Sequence, residues 1–307
     1  MATTDFDVII VGGGPAGLTA GIYLGRSRAK ALIVSEGAIG GQMNLTHKIE
    51  NYPGVESISG YQMGSVMKKQ AISFGCEIKS NAKITDIQLD GDIKYITINH
   101  KNTFSAKAMI IATGGKSRSL NVKGEAEFAG RGISYCATCD GDFFTDKNII
   151  VVGGGNTALE EAVSLTKYAS KVTIVHQFDH FQGFKQAIVE AQNHPKIEFM
   201  LQSRIMSFEG GEQLKRVLIE DITTGNVNPK DIDGVFIFIG YEPQTQIVKG
   251  KLELNERNEI IVDNMLNTSM KGIFAAGDAR VTKVRQVTTA VADGTIAALS
   301  ALEFLHH

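Results

Sequence analysis

Short runs of aliphatic and β-branched residues recur along this chain, and two of them lead into nearly the same polar signal. Asp7-Val-Ile-Ile-Val11 runs into Gly12-Gly-Gly14-Pro15-Ala16-Gly17 and then a periodic apolar stretch through about Arg26. Asn148-Ile-Ile-Val-Val152 runs into Gly153-Gly-Gly155-Asn-Thr-Ala158 and a similar stretch through about Tyr168. A compact apolar run, a glycine turn and an apolar period near 3.6 predict strand, turn and helix in that order. On the second helix Leu159, Ala162, Val163 and Thr166 share one face, with Glu160 and Glu161 turned away. Each copy closes with a further strand, Lys30–Val34 before Glu36 and Lys171–Val175 before His176, so that a βαβ unit of about 30 residues emerges twice.

Residues 77–115 read as short strands ending in Ala108-Met-Ile-Ile-Ala-Thr-Gly-Gly115, and Gly234-Val-Phe-Ile-Phe-Ile-Gly240 is a matching strand in the later half. Gly272-Ile-Phe-Ala-Ala-Gly-Asp278 predicts one more strand running into a polar turn, and a helix from about Val287 to Leu305 follows. The two glycine turns begin 141 residues apart, too far for a solenoid repeat. No Pro/Ser-rich linker separates them. The pattern predicts an α/β chain with two dinucleotide-binding domains, the second inserted into the first.

Composition narrows the picture a little. The 307 residues suit about two domains, and 43% apolar with 21% charged residues is ordinary for a globular protein. Thirty-one Lys+Arg against 33 Asp+Glu give a net charge of −2, which offers no electrostatic reason for a nucleic acid or an anionic membrane as partner. No window approaches ~18 uninterrupted apolar residues, and the N-terminal MATTDFDVIIVGGG lacks the marks of an export signal. Three cysteines are too few for a disulfide-stapled secreted fold. The expectation is a cytoplasmic protein.

The glycine turns carry the first candidate chemistry. In G-x-G-x-x-G, Gly12 permits the tight turn, Gly14 lets the backbone approach a pyrophosphate, and Gly17 lets helix and strand pack closely. The helix N-terminus then offers N–H groups and a positive dipole to phosphate. Glu36, 24 residues beyond Gly12, can accept the ribose hydroxyls of a bound dinucleotide. The second copy has Ala158 at the third glycine position, an allowed variant.

Cys136-Ala-Thr-Cys139-Asp140 carries the second. Such a pair is either redox-active, with one thiol pKa lowered toward neutrality, or half of a zinc site. Zinc needs further ligands. The remaining cysteine, Cys76, sits among apolar neighbours and reads as structural, and His176 and His180 lie on another segment without a partner cysteine motif. The redox reading is preferred and no metal site is expected. Asp140 can give or take a proton at a departing thiolate.

Taken together, GGGPAG, an acidic residue, ATGG, CATCDGDFF, GGGNTA and GIFAAGDAR closely resemble the low-molecular-weight thioredoxin reductases over essentially the whole chain. The resemblance implies two Rossmann-like, three-layer (ββα) domains: an FAD domain of residues 1–116 and 246–307, and a pyridine-nucleotide-type domain of 117–245 that carries the dithiol. It implies that Gly12, Gly14, Pro15, Ala16 and Gly17 hold the pyrophosphate and Glu36 the ribose. Gly41, Gln42 and Asn51 would lie along the flavin, with Thr113 and Gly114 in the ATG element. Gly277-Asp278 would meet the ribityl chain, and Arg285, Gln286 and Val287 the ring system. Cys139 would face the flavin, Cys136 would attack the substrate disulfide, and Asp140 would protonate the thiolate. A homodimer acting on thioredoxin or a thioredoxin-like protein is the corresponding expectation.

One departure matters. Relatives that use NADPH place H-R-R-x-x-x-R after the second βαβ strand to hold the 2′-phosphate, whereas this chain has His176-Gln177-Phe178-Asp179-His180-Phe181-Gln182. Three lost charge-assisted contacts at about 1.5 kcal/mol each weaken NADPH about a thousandfold. Arg204 is the one substitute cation the sequence suggests, and nothing in the sequence places it there. The expected donor is reduced ferredoxin or NADH rather than NADPH. A dithiol oxidase running in reverse toward oxygen, a conventional NADPH enzyme with substitute phosphate contacts, and a non-catalytic flavoprotein with a vestigial second domain are the competing readings.

Overall fold

The computed structural model describes residues 3–46 and 48–306. The chain forms two compact units, Met1–Lys116 with Glu242–His307, and Ser117–Tyr241.

The first unit begins with strand β1 (Phe6–Val11), helix α1 (Pro15–Arg26), β2 (Ala31–Val34), α2 (Gly60–Ser73) and β3 (Glu77–Lys79). It continues with β4 (Ile84–Gln88), β5 (Lys94–Ile98) and β6 (Asn102–Ile111). The sheet runs β3-β2-β1-β6-β5-β4. Its β1, β2, β3 and β6 are mutually parallel, β5 pairs antiparallel with β6, and β4 pairs antiparallel with β5 at the edge. Both faces of the parallel part are buried, which explains the unbroken apolar runs. Val8, Ile10 and Ile33 feed a core against α1, while Ile9, Val11, Leu32 and Val34 feed another against Ile87, Leu89 and Ile96. Side chains at alternate positions therefore serve opposite faces.

The chain leaves this unit through β7 (Gly115–Ser117). The second unit holds α3 (Glu125–Phe128), β8 (Ile133–Ser134), α4 (Ala137–Asp140), β9 (Asn148–Val152), α5 (Asn156–Leu165), β10 (Lys171–Val175), α6 (Lys185–Gln192) and β11 (Ile197–Met200). It also holds β12 (Ser203–Gly210), β13 (Leu214–Asp221), β14 (Val227–Asp231) and β15 (Gly234–Ile237). A parallel sheet β11-β10-β9-β15-β8 forms its middle layer. Leu159, Ala162 and Leu165 of α5 and Ala187 and Ala191 of α6 pack on one face of it. Ile205, Phe208, Val217 and Ile219 of the antiparallel sheet β12-β13-β14 pack on the other. This is the expected three-layer arrangement.

The return strand β16 (Tyr241–Pro243) pairs with β7. That pairing draws the boundary to 241/242, upstream of the expected 245/246. Back in the first unit, β17 (Ile273–Ala275) adds to β6 and α7 (Val287–His306) closes the core.

Two further expectations need correction, and one helix needs comment. Helix α5 stops at Leu165 rather than near Tyr168, where the backbone tightens: the Thr166, Lys167 and Tyr168 N–H groups donate to Val163, Ser164 and Leu165 C=O at 3.0–3.2 Å. Glu161 is half-buried rather than turned away, and desolvation raises its pKa, with Glu160 adding to the effect. Helix α7 has the length and apolarity of a membrane span although no uninterrupted apolar run marks it. It carries buried Asp293, whose carboxylate accepts from Arg280 Nε and Nη2 at 2.7 Å each and from Gly277 N–H at 2.9 Å. Its Gly294 packs so tightly on α1 that a Cβ would lie 2.2 Å from Ala16 O. Helix α7 is a core helix.

Candidate active site

In the first unit the expected cofactor residues converge on the N-terminus of α1. Gly12 has φ +122°, and a Cβ there would lie 2.0 Å from Ala112 O and 3.0 Å from Thr113 N, so the turn is pressed against the ATG segment. A Cβ on Gly17 would lie 2.0 Å from Gly12 O, which fixes the close approach of helix to turn. Gly14, by contrast, has open space: nothing lies within 4 Å of its Cβ position. Pro15 opens the helix, where its missing N–H costs nothing. The single-turn helix Gly41–Leu45 is tied to the same loop, since Gly40 N–H donates to Gly13 C=O at 2.8 Å and Gly41 would carry its Cβ 3.0 Å from Gly14 Cα. Gly277, at φ +70°, would bring a Cβ within 3.0 Å of Ala16 Cβ, so Gly277 and Asp278 flank the helix start.

Other members of the set lie in side-chain pairs of their own. Asn51 Nδ2 donates to Gln286 Oε1 at 3.3 Å, and Arg285 is paired with the buried Glu259. Val287 starts α7. Glu36 is exposed at the end of β2, one oxygen accepting Ile84 N–H at 2.9 Å. The Thr113 hydroxyl is buried without a hydrogen-bond partner. An open cradle at a twelve-residue helix N-terminus, ringed by such groups, fits the pyrophosphate and ribose of a dinucleotide.

The second unit repeats the cradle with a different rim. Gly153 (φ +141°) would bring a Cβ to 2.4 Å from Phe238 O, while Gly155 faces open space at the start of α5. The segment after β10 folds back over this turn. Gln182 N–H donates to Gly154 C=O at 2.8 Å, and Phe184 N–H to Asn156 Oδ1 at 2.5 Å. His176 is buried, its ring so close to Gly154 that a Cβ there would lie 2.4 Å from Nε2. Phe181 stacks on His176 at 5.8 Å and Phe178 meets it edge-on at 5.3 Å. Burial holds the His176 pKa below its ordinary value, and its Nε2 has no hydrogen-bond partner. Arg204 lies on β12, its exposed guanidinium Nε 2.5 Å from Glu220 Oε2. Along the segment 177–182 the arginine positions hold Gln177, Phe178 and Gln182, and the exposed His180 is paired with Asp179 at 2.6 Å.

The dithiol is also in the second unit. Cys136 and Cys139 form a disulfide with Cα atoms 5.3 Å apart across the single turn of α4. Cys139 N–H donates to Cys136 Sγ at 3.1 Å, and Asp140 N–H to Cys136 C=O at 3.3 Å. Two features that the motif alone did not flag hold this turn. Ser134 Oγ lies 2.6 Å from Asp140 Oδ2 and accepts Cys136 N–H at 3.1 Å. Glu125, 3% exposed, accepts from Ser119 Oγ, the Leu120 and Asn121 N–H groups and the Tyr135 hydroxyl at 2.7–3.0 Å. Burial pushes the Tyr135 phenol up, with Glu125 reinforcing it, so Tyr135 stays a neutral donor beside the first cysteine. Cys76 is buried in the first unit, between α2 and β3.

Comparisons with known proteins agree with this chemistry. A family model for pyridine nucleotide-disulphide oxidoreductases matches residues 6–294. A thioredoxin reductase of Peptoclostridium acidaminophilum is 43% identical over 307 residues, covering 98% of this chain and 97% of the relative. A 34.2 kDa protein in a rubredoxin operon of Clostridium pasteurianum is 41% identical over 299 residues, covering 97% of each. The crystal structure of thioredoxin reductase from Streptococcus pyogenes superposes with a TM-score of 0.94 at 41% identity, covering 98% of both chains. With its paired glycine cradles, its C-x-x-C disulfide and likeness along nearly its full length, this chain belongs to the pyridine nucleotide-disulphide oxidoreductases, in the low-molecular-weight thioredoxin reductase group.

Proposed function

We propose that this flavoprotein reduces the disulfide of thioredoxin or a thioredoxin-like protein through Cys136 and Cys139, with electrons from reduced ferredoxin or NADH rather than NADPH. The observation that carries the reading is the Cys136–Cys139 disulfide closed over one helical turn and followed directly by Asp140.

FAD, when bound in the first cradle, supplies two-electron chemistry. Two electrons delivered to the bridge at Cys139 break the S–S bond and leave two thiol groups at positions 136 and 139. The Cys136 thiolate, facing the Cys139 N–H, attacks one sulfur of the partner's disulfide. A mixed disulfide forms and one partner sulfur departs, taking its proton from the Asp140 carboxyl. Cys139 then attacks Cys136 Sγ, re-forming the internal bridge and releasing the second partner thiol. The partner gains two electrons and two protons in all: the Cys136 thiol proton passes to Asp140 as the thiolate forms and from Asp140 to the first partner sulfur, and the Cys139 thiol proton passes to the second.

The donor reading is supported by the rim of the second cradle. Gln177, Phe178 and Gln182 stand at the three arginine positions, and Arg204 pairs with Glu220. Nothing in that rim opposes the phosphate-free ribose of NADH. Anaerobic mixing of the oxidised protein with NADPH, NADH and reduced ferredoxin tests this by flavin bleaching. Bleaching by ferredoxin or NADH is expected, and rapid bleaching by micromolar NADPH overturns the donor reading. In Cys139→Ser, thioredoxin turnover is lost with flavin retained; rapid turnover by that variant overturns the dithiol route.

A further inference from the structure

We propose that Ser134 is a positioning residue that holds the Asp140 carboxyl in one place through both of its protonation states. The proposal rests on the reading above, in which Asp140 carries the proton for the departing thiolate.

The geometry is local and buried. Ser134, 4% exposed, ends β8, where its strand partner is Phe236 of β15, so its backbone is anchored to the middle sheet. Its single hydroxyl reaches three groups: Asp140 Oδ2 at 2.6 Å, Cys136 N–H at 3.1 Å and Cys136 C=O at 3.3 Å. The set contains an obligate donor and an obligate acceptor from one residue, plus a carboxyl that can be either.

With Asp140 ionised, the hydroxyl donates to Oδ2 and accepts from Cys136 N–H. With the proton on Oδ2, the carboxylic acid donates to Ser134 Oγ and the hydroxyl hydrogen swings to Cys136 C=O. Both states are hydrogen-bonded with no heavy atom displaced. Asp140 can therefore give up and regain its proton without leaving its station beside the dithiol, and the same hydroxyl ties that station to the backbone of Cys136. A hydrogen bond to an ionised acceptor is the stronger of the two. Ser134 thus favours the carboxylate, and removing it raises the pH at which Asp140 ionises.

The titratable groups around Asp140 include the Cys136 and Cys139 thiols of the reduced bridge, on the same turn. Asp142 follows on the next turn, Glu160 and Glu161 lie on α5, which packs on α4, and Tyr135 is bonded to Glu125.

The test is the pH profile of thioredoxin reduction by flavin-loaded Ser134→Ala. The rate falls about tenfold near neutrality, the size of one hydrogen bond to a charged group. The alkaline limb, where protonated Asp140 is lost, moves up by about one pH unit. Ser134→Gly gives the same shift if the alanine variant is insoluble, and Ser134→Thr, which keeps the hydroxyl, restores the wild-type limb. A uniform rate loss with an unmoved limb in both deletion variants overturns the proposal and reduces Ser134 to a structural part. Asp140→Asn separates the two claims. If it abolishes the limb and Ser134→Ala leaves the limb unmoved, only the Ser134 role fails. If Asp140→Asn keeps the full rate and limb, the proton-carrier reading fails first.

Discussion

Alanine at Gly14 and at Gly17 separates flavin binding from folding. At Gly17 the added Cβ would sit 2.0 Å from Gly12 O and 3.3 Å from Ile10 Cγ2. Helix α1 would have to retreat from β1 by more than ~1 Å to reach ordinary contact. Gly294 of α7 blocks that retreat, already pressed against Ala16. Overpacking of this kind costs about 1–3 kcal/mol, partly offset by the ~1 kcal/mol that alanine gains over glycine inside a helix. Gly14 differs in both respects. Its φ of −80° and ψ of −174° suit any residue, and its Cβ position is open. The fold loses only the modest helix-cap preference for glycine, about 0.5–1 kcal/mol. The new methyl instead occupies the space in front of the first N–H groups of α1. Displacing two charge-assisted hydrogen bonds of about 1.5–3 kcal/mol each weakens flavin by about 10²–10⁴-fold. Thermal unfolding of the apoproteins and titration with FAD, followed by flavin fluorescence, read the two effects apart. Gly14→Ala unfolds close to wild type but holds flavin poorly, and Gly17→Ala loses stability before any flavin is added. A Gly14→Ala protein that binds flavin as tightly as wild type refutes the cradle argument.

Three other outcomes follow from buried groups. Asp293→Ala leaves Arg280 and Gly277 N–H without their shared acceptor and destabilises the first unit by about 3 kcal/mol in a denaturant midpoint assay. His176 has a folded-state pKa lowered by burial from the ordinary 6.5, so the unfolded chain binds this proton more readily. Its share of stability is present above pH 6.5 and is lost as pH falls toward the folded-state pKa; His176→Phe shows a flatter acid loss of melting temperature over that window. Burial pushes the Cys76 thiol up to about 12, so thiol reagents at neutral pH label Cys136 and Cys139 in the reduced native protein and reach Cys76 only on unfolding.

The elements most legible from sequence are those whose side chains face one environment. The almost wholly buried β1 and β9 read as solid apolar runs, and in the turns behind them Gly12, Gly17 and Gly153 are enclosed by contacts too close for a Cβ. The dithiol was legible because C-x-x-C spacing spans one helical turn. What holds that turn was not. Ser134 and Glu125 are common residues, and their roles arise only when β8 and α3 bring them to Asp140 and Tyr135. Helix α7 was legible as a helix, but its small residues gave no sign of how closely it packs on α1. A stronger signal was available there: a lone Asp293 in a run of small apolar residues needs a cation, and Arg280 lies thirteen residues earlier. The end of α5 is a switch from i→i−4 to i→i−3 bonding, which apolar periodicity does not reveal.

The way the chain crosses between its two units has a consequence for ancestry and engineering. Arg118 N–H donates to Gly240 C=O and Gln244 N–H to Gly114 C=O, both at 2.9 Å, so outgoing and returning segments travel as neighbours. Residues 117–241 are therefore a cassette with its two severed ends side by side. Such a module can be lost, exchanged or spliced elsewhere by a single genetic event, and the host needs only a short hairpin to heal the cut.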